Sequence, residues 1–127
     1  MQTASGDFEV EMKPVSGEGE DPARMSIGKT FTGDLTGTST GQMMMGGTEE
    51  TGARVYVALE TITGSLGGKD GSFIAAHRGT MSPKGQELSI IIVPDSGTGA
   101  LAGITGTMEI DNVDGAHSYT VTYNLPE

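Results

Sequence analysis

Hydrophobic and polar residues alternate along most of this chain. In "DFEVEMK" (7–13), Phe8, Val10 and Met12 fall on one side and Asp7, Glu9, Glu11 and Lys13 on the other, the period-two pattern of a half-buried strand. "RMSIGKTFTG" (24–33) repeats it, with Met25, Ile27, Lys29 and Phe31 sharing a face opposite Ser26, Gly28, Thr30 and Thr32. "STGQMMMGG" (39–47) reads as a short strand and "ARVYVALETITG" (53–64) as a long one rich in β-branched residues. "GSFIAAHRGT" (71–80), "QELSIIIV" (86–93), "ITGTMEID" (104–111) and "HSYTVTYNL" (117–125) complete a set of eight. The segment "VSGEGEDPA" (15–23) is an acidic Gly/Pro loop, and "KDG" (69–71), "SPKG" (82–85) and "VDG" (113–115) carry hairpin-turn chemistry. No segment holds a helical period over ten residues. Short strands joined by tight turns predict one all-β domain over residues 1–127, an eight-stranded antiparallel barrel with little or no helix. Eight strands enclose a lumen that side chains fill or that holds one small ligand.

The 21 glycines sharpen this picture. "VPDSGTGALAGITG" (93–106) looks at first like a phosphate-cradling loop, but such a loop must open a helix. Here Gly103 is followed by Ile104, Thr105 and alternating residues that favour a strand. "TGALAG" (98–103) is instead one of three T-G-x-L-x-G segments, with "TGDLTG" (32–37) and "TGSLGG" (63–68). Repeated glycine at strand ends answers a backbone need at barrel corners, and Leu35, Leu66 and Leu101 are expected to plug equivalent places. "GGKD" (67–70) fails as a Walker loop, because Thr63 stands where a glycine is required and Asp70 where a Ser or Thr is required.

Composition then removes whole classes of function. A net charge of −10 with seven scattered Lys and Arg cannot supply the basic stripe that nucleic acid or an anionic membrane surface demands. The absence of Cys rules out disulfides, thiolate nucleophiles and zinc–thiolate sites, and is compatible with a cytoplasmic protein. The amino terminus lacks the basic and apolar blocks of a signal peptide, and "IIIV" (90–93) is too short to span a bilayer. Aromatics make up only 5% of the chain and there is no Trp, so the Trp walls of a biotin-type site are missing and the core must rest on Met, Ile, Leu and Val. Met43–Met45 and Ile90–Val93 point to both sides of their strands. Strands apolar on both faces suggest a homo-oligomer, or cover by a terminal segment of the chain.

Several segments carry a resemblance. "KTFTGDLTG" (29–37), "YVALETITGSLGGKDGSF" (56–73), "AHRGT" (76–80), "VPDSGTGALAGITG" (93–106) and "YTVTYNL" (119–125) resemble a bacterial domain-of-unknown-function family. Its members are small single domains with an allene-oxide-cyclase-like, calycin-like barrel. The resemblance implies the fold and no established activity. Plant cyclases and dirigent-type proteins share the barrel, an analogy of fold alone.

The candidate chemistry lies in polar residues on otherwise apolar faces. Lys29 sits between Ile27 and Phe31, and the favoured reading is a rim lysine whose stem packs while its ammonium reaches water. Glu60 shares a face with Tyr56, Ala58 and Ile62. It is either a solvated glutamate near a strand end or a carboxylate in an apolar lumen. His77 lies with Phe73 and Ala75, and a satisfied structural histidine is the favoured reading. A luminal His77 beside Glu60 would instead make an acid/base pair. His117 reads as a rim residue, and "DNVDG" (111–115) as a turn that lacks the full calcium-loop pattern. No metal spacing and no cofactor motif is present. The leading expectation is a barrel that binds a small apolar ligand, with Lys29, Tyr56, Glu60, Phe73, His77 and Tyr119 at the site. An isomerase or cyclase acting in an apolar cavity and a filled structural barrel are the alternatives.

Overall fold

The alternation becomes nine strands in a computed structural model that describes residues 1–15, 17, 19 and 22–126. They are β1 (Gln2–Pro14), β2 (Ala23–Gly33), β3 (Leu35–Thr48), β4 (Ala53–Leu66), β5 (Lys69–Ser82), β6 (Gly85–Ile92), β7 (Thr98–Gly99), β8 (Thr105–Val113) and β9 (Ala116–Asn124). Every pairing is antiparallel, in the order β4–β3–β2–β1–β9–β8–β6–β5, and β4 pairing with β5 closes the ring. The result is the expected eight-stranded barrel, with β7 as a two-residue addition against β5. Among the described residues there is no helix, hence none long and apolar enough to cross a membrane. The expected acidic loop at 15–23 lies partly outside the described residues.

Two local expectations need correction. β3 is not short: it begins at Leu35, because its Gly- and Thr-rich first half pairs fully with β4 although it lacks hydrophobic alternation. Lys69–Gly71 is not a turn but the start of β5. The bend falls one step earlier, at Gly67 and Gly68, whose φ of 59° and 85° side chains rarely adopt.

One end of the barrel is solid. Leu35 and Leu66 are register partners and, with Leu101, are essentially inaccessible, so the three repeat leucines do plug the same end. Phe31, Ile62, Phe73, Ile104, Tyr119 and Val121 pack with them. Tyr119 ties this end together. Its hydroxyl receives the Leu35 N–H at 2.8 Å and lies 2.8 Å and 3.0 Å from the carbonyls of Thr32 and Leu35. Gly6 leaves room for it, since a Cβ there would lie 2.6 Å from the phenol oxygen. On the outside, Met44, Val57, Leu59 and Ile91 are exposed, while Met43, Met45, Ile90 and Ile92 turn inward by alternation.

Tyr119→Phe would leave a buried backbone N–H and carbonyl at the β2–β3 corner without their side-chain partner. The expected loss is about 1–3 kcal/mol, read from urea denaturation, and superimposable unfolding curves would contradict it.

Candidate functional site

Four consecutive strands each turn one polar side chain into the barrel. They are Lys29 on β2, Ser39 on β3, Glu60 on β4 and His77 on β5, and all four are buried. Antiparallel register brings them together: Lys29 is opposite Ser39, and Glu60 is diagonal to His77, whose direct partner is Ala58. Glu60 is the hub. Lys29 Nζ donates to its Oε1 at 3.0 Å, His77 Nε2 to the same oxygen at 2.7 Å, and Ser39 Oγ to Oε2 at 2.7 Å. Gly41 is the register partner of Glu60, and a Cβ at Gly41 would come within 2.9 Å of the Glu60 Cβ. The Leu59 carbonyl would be nearer still, so only glycine lets β3 approach β4 this closely beside the carboxylate. The ammonium of Lys29 also stands over the Phe8 ring, 5.0 Å from its centre, an arrangement that favours a cation.

The electrostatics follow from this geometry. Burial alone would raise the Glu60 pKa. The His77 hydrogen bond, the Lys29 charge and the Ser39 hydroxyl outweigh it and hold the group at about 2, below its ordinary 4.5. Glu60 is therefore a carboxylate, which only accepts hydrogen bonds, so His77 Nε2 carries the shared hydrogen. Nδ1 has no partner among the described residues. No described side-chain nitrogen or oxygen is both sealed and unpartnered, so Nδ1 borders space that water can enter.

Above this belt the barrel is open. A cavity of about 780 Å³ is lined on its inner side by Met45, Tyr56, Gly79, Leu88 and Ile110, with Arg54 and Asn112 at the rim. Tyr56 and Gly79 are register partners, and the Tyr56 ring occupies the place a Gly79 side chain would take. Burial, and then the nearby Glu60 charge, raise the Tyr56 pKa, so the phenol keeps its proton. Tyr56 thus lines the cavity and lies within electrostatic reach of the belt.

The expected site residues divide. Lys29, Glu60 and His77 do converge, and Tyr56 stands above them. Lys29 is not the rim lysine expected: it is 7% exposed, because an ion pair inside the barrel replaces the water its ammonium would have sought. Phe73 and Tyr119 belong to the solid end, where packing and backbone hydrogen bonds occupy them, so neither reaches the open cavity. Sequence reasoning missed Ser39, Gly41 and Gly79. The only available signal was their place on inward-facing positions of β3 and β5. Among the described residues, no three His, Asp or Glu side chains gather as a metal ion would require.

Glu60→Gln would leave the Lys29 ammonium buried beside a neutral amide, and breaking such a pair costs about 3–5 kcal/mol at neutral pH. Because the folded pKa is depressed, the carboxylate contributes stability above pH 4.5 and loses it as the pH falls toward 2. Chemical denaturation across that window should show wild type losing more stability on acidification than Glu60→Gln. Parallel pH profiles for the two would contradict this placement of the charge.

Among curated proteins, none matches the chain. A crystal structure of a protein with unknown function from the DUF3224 family of Shewanella oneidensis MR-1 is 35% identical. It superposes with a TM-score of 0.90, over 100% of this chain and 98% of that one. The family profile described as "Protein of unknown function (DUF3224)" matches residues 4–123. With the family's sequence signature running through nearly every strand of the barrel, the chain belongs to the DUF3224 family.

Proposed function

We propose that this protein binds one small, largely apolar molecule in the open half of its barrel. The observation that carries this reading is the division of the interior. One end is packed solid, and the other keeps a cavity of about 780 Å³, within the range of roughly 300–1,000 Å³ usual for small-molecule sites. A purely structural barrel has no reason to keep a cavity of this size at one mouth. Met45, Met81, Leu88 and Ile110 supply an apolar wall, and the methionines can adjust to the shape of a ligand.

Charge narrows the ligand class. The rim carries Arg54, Glu87 and Asp111. The Arg54 guanidinium already donates to the backbone carbonyls of Thr48 and Ala53. With that cation engaged, two carboxylates nearby and a net charge of −10, an anionic ligand is disfavoured. The ligand is neutral, with an apolar body and a group able to accept a hydrogen bond from Tyr56.

The neutral dye N-phenyl-1-naphthylamine tests this. Its fluorescence should rise saturably with wild type, and Ile110→Trp, which fills the cavity, should weaken binding about tenfold, the effect of losing about 1.4 kcal/mol. Circular dichroism checks that the variant keeps its fold. No saturable rise, or equal affinity in the variant, would refute the site.

A further inference from the structure

We propose that His77 is a general base, oriented by Glu60, that moves a proton between carbons of an apolar carbonyl compound held in the open half of the barrel. This rests on the binding reading above: His77 is the inward residue of β5 next below Gly79, and Gly79 lines that cavity.

The belt is built as a base held by an orienting group. Glu60 fixes the His77 ring through Nε2 at 2.7 Å, the arrangement by which a carboxylate selects a tautomer and aims the other nitrogen. The Lys29 ammonium stands 3.0 Å from the same carboxylate oxygen. In the neutral ring, Nε2–H leaves Nδ1 with a lone pair, and Nδ1 borders space that water can enter. A histidine kept only for packing has no need of a free nitrogen at such a border.

The surroundings exclude the commoner uses of such a pair. The belt's own hydroxyl, Ser39 Oγ, is committed to Glu60 Oε2 at 2.7 Å, and the chain has no Cys. The belt therefore offers a base without a nucleophile, which suits proton transfer rather than acyl transfer. An electrophilic partner is in place. The Tyr56 ring lies over Gly79, the next inward position of β5 above His77, and its phenol keeps its proton. That phenol can donate to a carbonyl oxygen and stabilise the charge that develops there.

The step balances without any further reactant. The Nδ1 lone pair takes a proton from the carbon next to the carbonyl. The C–H electron pair becomes the enolate double bond, and the enolate oxygen accepts the Tyr56 hydrogen bond. The substrate carries a β,γ double bond, so the enolate is a dienolate; Nδ1–H returns the proton to its γ carbon, the double bond moves to the α,β position, and the carbonyl re-forms. The product is an isomer of the substrate, with no atom or electron gained.

The probe is 5-nitrobenzisoxazole, whose opening needs only a base. Its C–H proton goes to the base, the C–H electrons form the nitrile, and the N–O bond breaks to give a phenolate. Wild type should accelerate this by about a hundredfold over His77→Ala, a usual range for general base catalysis. Glu60→Gln should lower the rate and shift its pH profile while His77 stays present. Two measurements on wild type guard against a variant that does not fold. Nitrogen-15 NMR should place the His77 hydrogen on Nε2, and saturating N-phenyl-1-naphthylamine should slow carbethoxylation of His77 by diethyl pyrocarbonate. A wild-type rate equal to that of folded His77→Ala, a hydrogen on Nδ1 alone, or carbethoxylation indifferent to the dye would overturn the proposal. Dye binding without turnover refutes the base and leaves the binding reading standing, whereas absence of dye binding refutes both.

Discussion

A carboxylate sealed inside a β-barrel organises this molecule. Glu60 is 1% exposed, and an isolated charge in that position would be prohibitive. It is tolerated because three donors from three other strands meet it: Lys29, Ser39 and His77. The three donors and the carboxylate come from four strands paired in succession, so the charge network depends on the register of β2 through β5 as much as on side-chain chemistry. A slip of one residue in any of these pairings would turn a polar group outward and leave the carboxylate unpaired. The belt therefore helps select one register among the alternatives that Gly- and Thr-rich strands permit.

The belt also sets the boundary between the two halves of the barrel. Below it, leucine, phenylalanine and the Tyr119 hydroxyl build a solid plug in which packing and backbone hydrogen bonds are both satisfied. Above it, glycines take over. Gly41 lets β3 approach β4 closely beside Glu60, and Gly79 gives its place to the Tyr56 ring. Stability is thus concentrated at one end and accessible chemistry at the other, a common division between a scaffold and its site.

Much of this was legible in the sequence, and what was hidden has a physical reason. Strict alternation in 7–13 and 24–33 disclosed which residues face inward, and the three T-G-x-L-x-G segments disclosed the plug. Lys29 was misread as a rim residue because a lysine between Ile27 and Phe31 betrays nothing of a carboxylate 31 residues away. Its burial depends on a partner two strands distant in the sheet. Ser39 went unnoticed for the same reason: the first half of β3 has no hydrophobic signal, and a serine there looks like turn chemistry. Phe73 and Tyr119 were correctly placed on inward faces, but alternation gives the face and not the height along the barrel. Height depends on strand stagger, which the turns around Gly67–Gly68 set. The cavity itself was invisible, because its lining is gathered from β3, β4, β5, β6 and β8, whose relative heights no local pattern discloses.

The central claim is that Glu60 is an ionised carboxylate inside the folded barrel. Carbon-13 NMR of the Glu60 side-chain carboxyl, followed as the folded protein is acidified, measures this directly. The resonance should remain that of a carboxylate well below the ordinary 4.5 and titrate near 2, or only as the protein unfolds. A carboxyl that takes up its proton at or above 4.5 while the barrel remains folded would contradict it.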